Sequence, residues 1–246
     1  MTNVYIKDWS AWTPNIKDKD NWRLWAQNED TTEFSDELNI SDVPAMLRRR
    51  LSNLGKMTIA CANDTQQDAE QRPSLFCSRH GELARSIELL KSLASDDLLS
   101  PTHFSLSVHN AIGGMLSINK KDPSNITAIA AAENTVGTSL LEAQLILQEQ
   151  GCKEILCIIY DDPIPAPYTT EINLPLQSYA LALVLSSEPS TINLDLSIAA
   201  SAAAGSTDEK PAEPQALTFL RFLLSKDTRL ELSNQHTCYQ LQKVES

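Results

Sequence analysis

Long apolar runs, clustered positive charge, glycine and paired cysteines are all scarce in this chain, and each scarcity removes a class of function. No stretch of about eighteen uninterrupted apolar residues occurs, so no segment reads as a membrane-spanning helix. The opening, MTNVYIKDWSAW, has neither a basic n-region nor an apolar h-region, and a cytoplasmic chain without membrane insertion is expected. Lys and Arg number 20 against 32 Asp and Glu, a formal net charge of −12. Phosphate binding needs clustered cations, so a nucleic-acid surface is excluded. The one basic cluster, Arg48, Arg49 and Arg50, is expected to pair with the chain's own carboxylates. The five cysteines, Cys61, Cys77, Cys152, Cys157 and Cys238, are odd in number and scattered, which suits a reducing compartment. Cys77 and His80 form a C-x-x-H pair, but no second close pair supplies the remaining tetrahedral ligands, so no metal is expected. No cofactor motif is present.

What is there is enough for a core. The 246 residues are 42% hydrophobic, and one globular domain over 1–246 is expected. The order of elements reads as α/β. A strand at Val4 to Trp12 leads through a polar stretch to one helix over DVPAMLRRRLSNLGKMTIACAND, in which Met46, Leu47, Leu51 and Leu54 recur at helical spacing. A short strand (Ser74 to Ser78) and a helix (Gly81 to Ala94) follow. PTHFSLSVHNAIGGMLSINK starts with strand-like alternation, then passes through Asn110 and Gly113-Gly114 into a short helix. With only seven glycines in the chain, that pair signals close packing. Residues Ala202 to Pro214 are poor in large apolar side chains and are predicted to be a mobile loop, before a helix at ALTFLRFLLSKD and one final strand.

The clearest unit is NITAIAAAENTVGTSLLEAQLILQEQGCKEILCIIYDD. A small-residue strand (Ile126 to Ala132) turns at Glu133 and Asn134 into an amphipathic helix (Thr138 to Gln150) that Gly151 stops. Ile155 to Tyr160 is then a continuous apolar run, as in a strand covered on both faces. The unit is one βαβ. Strands at Ser178 to Pro189 and Ile192 to Ile198 come after it.

This unit resembles the nucleophile segment of ketosynthases and other thiolase-fold condensing enzymes, in which a small-residue strand presents a cysteine at the N-terminus of a buried helix. Counting back from Gly151 by the family's helix length puts the nucleophile position at Asn134; matching the AAAEN run puts it at Glu133. Neither is a thiol, and no cysteine lies between Ile126 and Gly151. Cys152 falls at the far end of the helix, more than roughly twenty ångströms away at 1.5 Å per residue. The four histidines, His80, His103, His109 and His236, sit in none of the family's paired histidine motifs, and the length suits about one half of such an enzyme. A polar residue at the position could mimic an acyl oxygen; the simpler reading, preferred here, makes Glu133 and Asn134 a turn residue and a helix cap.

VPAMLRRRLSNLGKM, FSLSVHNAIGGMLSI and IAAAENTVGTSLLEA are similar to the short ketosynthase-like N-terminal-domain family that acts as chain length factor in bacterial aryl polyene pathways. The resemblance implies an α/β thiolase-like fold, about one half with a mixed sheet and covering helices. It implies a catalytically inactive subunit that heterodimerises with an active ketosynthase, in a pair or a two-plus-two assembly, and helps shape the tunnel for a growing polyketide. Val108, His109, Asn110, Gly113 and Gly114 are then candidate interface residues. Acyl carrier proteins are acidic, so the carrier is expected to reach this chain indirectly, through the partner. Two alternatives stand beside this reading: a scaffold that only stabilises the ketosynthase, and a small hydrolase using Ser107 and His109, with Ser105 alternating on the same strand.

Overall fold

The computed structural model describes residues 2–14, 16, 18–28, 38, 40–65, 71–166, 168, 177–201, 213–234 and 236–244. Of the loop expected at 202–214, residues 202–212 lie outside the described residues.

The strands are β1 (Thr2–Trp12), β2 (Ser74–Cys77), β3 (Ile126–Ile129), β4 (Glu154–Asp161), β5 (Tyr179–Ser186), β6 (Ile192–Ala200), β7 (Arg229–Ser233) and β8 (Thr237–Val244). They form one sheet in the order β3-β2-β4-β5-β1-β6-β8-β7. β3, β2 and β4 run parallel, and every other neighbouring pair is antiparallel. The helices are α1 (Lys19–Ala26), α2 (Ala45–Arg48), α3 (Asn53–Asp64), α4 (Leu83–Ala94), α5 (Pro101–Ser105), α6 (Ala111–Lys120), α7 (Thr135–Gln150) and α8 (Gln215–Leu224).

Two cores lie on opposite faces of the sheet. On one, α7 and α8 bury Leu140, Leu147, Leu217, Phe219 and Leu220 against odd-numbered β5 leucines 181, 183 and 185. On the other, α3 and α6 bury Met57, Ile59, Ile112 and Leu116 against Phe76, Ile158, Ala180 and Ala182. The alternation of β5 therefore carries leucine toward one helical layer and alanine toward the other. The alanine face lets α3 come close enough for the Cys61 thiol to reach the Ala180 carbonyl at 3.7 Å.

Four elements differ from the sequence reading. The polar stretch after β1 holds α1, whose N-cap Asp18 accepts from the backbone of Asp20 and Asn21, and whose buried Trp22 donates to the Ala11 carbonyl at 2.9 Å. The long helix expected from Asp42 to Asp64 is broken into α2 and α3, because the Ser52 hydroxyl accepts from Gly55 N–H at 2.9 Å and starts a new helix. The strand-like start expected of PTHFSLSVHN, with Ser105, Ser107 and His109 alternating, is α5 and the turn after it: Pro101 stands in the first turn and the Ser100 hydroxyl caps it. The final strand is a hairpin, since the Asn234 carboxamide accepts from His236 and Thr237 N–H and reverses the chain. Arg48, Arg49 and Arg50 form no ion pair among the described residues.

The Gly113-Gly114 pair divides its work. A Cβ at Gly113 would lie 2.9 Å from Ile126 Cγ2 and 3.0 Å from Phe76 Cδ2, whereas one at Gly114 would meet nothing within 4 Å. Gly113 thus lets α6 pack on β2 and β3, while Gly114 faces outward. Gly113→Ala should destabilise the chain by about 1–3 kcal/mol through overpacking. Gly114→Ala should stabilise it by about 0.5–1 kcal/mol through helix propensity. Urea denaturation of the two variants checks both signs; equal effects would contradict this division.

Candidate functional site

The strand-to-helix turn lies between β3 and α7. After Ile129 the chain passes through Ala130 and Ala131 into a single 3-10 turn (Ala132–Asn134) and then directly into α7. Ala132 has φ +47°, a left-handed conformation that costs an L-residue on the order of 1–3 kcal/mol. The strained residue is thus Ala132, one position before Glu133. Ala132 and Glu133 are exposed, and Asn134 is half-buried.

Glu133 faces the Arg79 guanidinium at 3.7 Å. Asn134 stands at the N-cap of α7, but its side chain makes no capping hydrogen bond and its buried Oδ1 has no partner. The Thr135 hydroxyl instead donates to the Ala132 carbonyl at 2.7 Å, closing the turn. Behind the turn, Gly137 lies under the Tyr239 ring so closely that a Cβ would sit 2.2 Å from it, and Thr138 Oγ1 and Tyr239 Oη are 3.1 Å apart. The C-terminal hairpin therefore buttresses the first turn of α7.

The end of β3 is held by His109, whose Nε2 donates to the Ile129 carbonyl at 3.0 Å. The other face of that imidazole rests on Gly81, which has φ +53° and where a Cβ would come within 2.6 Å of His109 Nδ1. Only glycine satisfies both demands. The turn containing Gly81 is organised by Asp161 at the end of β4. This carboxylate accepts from the Ser78 hydroxyl at 2.7 Å, Arg79 N–H at 2.9 Å and the Tyr179 hydroxyl at 2.9 Å. Ser78 Oγ in turn accepts from Gly81 N–H at 2.7 Å.

Of the predicted site residues, Glu133, Asn134 and His109 converge around the elbow. Gly113 faces its own sheet, while Val108 and Asn110 are exposed beside Gly114. Ser105, Ser107 and His109 do not share a strand: Ser105 donates to Thr102 O and Ser107 to Phe104 O, both at 2.9 Å, and His109 is engaged elsewhere. That geometry removes the Ser-His pair. Cys77 is fully buried beside Cys157 and Ser139, and burial raises its thiol pKa well above the usual 9.0. Asp161, Ser78 and Tyr179 were not singled out from sequence, although the Asp161-Asp162 pair at the end of an apolar strand was visible.

A fold of this class, a mixed sheet between helical layers with a strained turn leading from a strand into a long packed helix, is that of the thiolase-like condensing enzymes. The model of the beta-ketoacyl synthase N-terminal domain matches residues 22–241, and the chain belongs to that family. A chain of the ketosynthase ApeO in complex with its chain length factor ApeC, from Xenorhabdus doucetiae, is 27% identical, with a TM-score of 0.85 over 98% of this chain and 100% of the other. A chain of the AntDE:AntF complex, a type II polyketide synthase acyl-carrier protein with its ketosynthase bound to the hexaketide, is 10% identical with a TM-score of 0.71, covering 98% and 99%. The ishigamide ketosynthase/chain length factor is 10% identical with a TM-score of 0.65, covering 82% and 68%. The last two establish the fold alone. No curated protein sequence matches the chain. No helix among the described residues is long and apolar enough to cross a membrane.

Two outcomes follow from this site. Ala132→Gly relieves the left-handed strain and should stabilise the chain by about 0.5–1 kcal/mol in urea denaturation; a loss of stability would contradict the strain. Asp161 supplies the second. Burial, its largest influence, raises the carboxyl above the ordinary 3.8, opposed by hydrogen bonds from Ser78, Tyr179 and the backbone of Arg79 and His80. The folded chain therefore holds this proton more tightly than the unfolded chain. The resulting stabilisation is complete below the unfolded pKa, about 3.9, and is lost as pH rises through the higher folded value. Asp161→Asn should accordingly cost more stability at acidic than at neutral pH, read from urea midpoints at both; a larger cost at neutral pH would reverse the sign.

Proposed function

We propose that this chain is a non-catalytic chain length factor: it pairs with an active ketosynthase and helps shape the tunnel that holds a growing polyketide or polyene. The observation that carries the reading is the elbow itself. The strained strand-to-helix turn of a condensing enzyme is kept, but Ala132, Glu133 and Asn134 occupy it and none can accept an acyl group as a thiol does. The near full-length likeness, in both directions, to a chain of a ketosynthase and chain length factor complex supports it.

The surface gives the pairing a physical basis. Leu90 and Leu93 of α4, Leu98 and Leu99 after it, Phe104 of α5 and Val108 are all exposed, with Phe104 at 61%. An apolar run of this extent fits a protein interface better than open water. Among the described residues β3 ends the sheet, and such an edge is a template for a further strand. Among the residues first assigned to the interface, the exposure of Val108 and Asn110 and the open space at Gly114 support the assignment, whereas His109 and Gly113 pack against the chain's own backbone and sheet.

The test is co-expression with the ketosynthase encoded beside this chain, followed by size-exclusion chromatography with light scattering. A stable pair or two-plus-two assembly is expected, and Phe104→Glu with Val108→Glu should disrupt it while leaving circular dichroism unchanged. A well-behaved monomer that ignores the ketosynthase would sink the proposal. In the intact complex, tunnel substitutions in this chain should change product length by mass spectrometry without weakening assembly; unchanged products would favour the scaffold reading.

A further inference from the structure

Outside the carboxyl ends of parallel β2 and β4, where open α/β sheets commonly hold ligands, lies a cavity of about 270 Å³. Residues 80–85 after β2, residues 162–165 after β4 and residues 52–54 at the start of α3 wall it, with Ser178 ahead of β5. The Glu82 side chain, only 5% exposed, accepts from the Ser52 hydroxyl at 2.7 Å and pairs with Arg85 Nε at 3.0 Å. Arg85 also donates to the Arg50 carbonyl, so its guanidinium is committed within the protein. Asp162 is the second carboxyl group of the lining and is half-buried. Burial raises its pKa above the ordinary 3.8, opposed by a hydrogen bond with Ser178. Burial likewise raises the Glu82 carboxyl; Ser52 and Arg85 oppose the rise, and the Asp162 charge adds to it. His80, the other titratable group of the wall, is pushed toward its neutral form by burial, Arg79 and His109. The lining therefore holds two carboxyl groups against one guanidinium that is already engaged.

We propose that this cavity takes an ammonium or guanidinium group carried on a short aliphatic chain, from a free amine or a basic side chain of another protein. Leu54 and the Pro163-Ile164-Pro165 run supply apolar contact, and Asp162 supplies the counter-charge. Such a group matches both, because its stem lies on apolar surface while its head reaches a carboxylate. Its charge also relieves the repulsion between Glu82 and Asp162, which a neutral or anionic occupant does not. One water needs only about 10–15 Å³ of such space, so the cavity admits a molecule and not merely a bare ion. The inference stands on these residues and not on the chain length factor reading.

The probe is n-butylammonium, titrated into the full-length chain and followed by ligand-observed NMR, with n-butanol and butyrate as its neutral and anionic counterparts. Millimolar binding of n-butylammonium is expected, with n-butanol about tenfold weaker and butyrate undetected. Asp162→Asn should reduce n-butylammonium to the level of n-butanol, whereas Glu188→Gln, exposed beyond the far end of β5, should change nothing. Because the cation favours ionised Asp162, affinity should rise as pH is raised above the ordinary 3.8 and level off once that carboxyl is ionised in the free chain. Equal binding of n-butylammonium and n-butanol to the unaltered chain, or binding of neither, overturns the inference, and that comparison requires no variant to fold. Adding the ketosynthase separates the two sources. Loss of the probe on assembly assigns the cavity to a basic side chain of the partner, and its retention assigns the cavity to a free amine.

Discussion

Burying a carboxylate at the end of the central strand imposes more order on this molecule than any other single contact. An ionised Asp161 deep between helical layers is costly unless donors surround it. Its donors come from the turn after β2 and the first residue of β5, so satisfying one side chain fixes the ends of β2 and β4 and the start of β5 at once. The consequence passes outward. With Ser78 held, Gly81 N–H is bound, the glycine keeps its positive φ, and the His109 imidazole has a flat surface to rest on. His109 then holds the last carbonyl of β3, from which the elbow departs. The geometry at Ala132 is therefore determined by a carboxylate three layers of contact away.

That dependence explains how a strained turn is held in place. The left-handed Ala132 is unfavourable by itself, yet α7 delivers Val136, Leu140, Ala143 and Leu147 to the core, and those side chains can only be reached through this turn. Tyr239 locks the arrangement from the other side by covering Gly137. The packing of α7 and Tyr239 holds the turn from both sides.

The sequence made the βαβ centre readable because each of its signals was strong and local: a continuous apolar β4, a long helical period, and Gly151 at φ +61° ending the helix. The elements that escaped were those decided by one side chain or by distant contacts. Four residues of FSLS alternation are too few to tell a strand from a helical turn, and the Ser-Pro start of α5 outweighs them. α1 depends on Trp22 finding the Ala11 carbonyl, which no local pattern announces. The break between α2 and α3 rests on the Ser52 cap, within a run whose apolar spacing continues across it. Ala132 was invisible as the strained residue because alanine has no preference for positive φ. Asp161 looked like the start of a turn, and its burial emerges only when β2 and β5 are brought to either side.

Helix α4 carries three different chemistries on one short element. At about 100° per residue, Ile87 points into the protein, Arg85, Glu88, Leu89 and Ser92 line an open groove beside α5, and Leu90 and Leu93 form part of the exposed apolar run. Three faces of a twelve-residue helix thus serve the core, the groove and an exposed apolar run. A partner packed on the apolar face would remove water from one side of α4 and lower the local dielectric around Lys91, the neighbour of Leu90. Charges on the groove side would then be screened less than on the isolated chain.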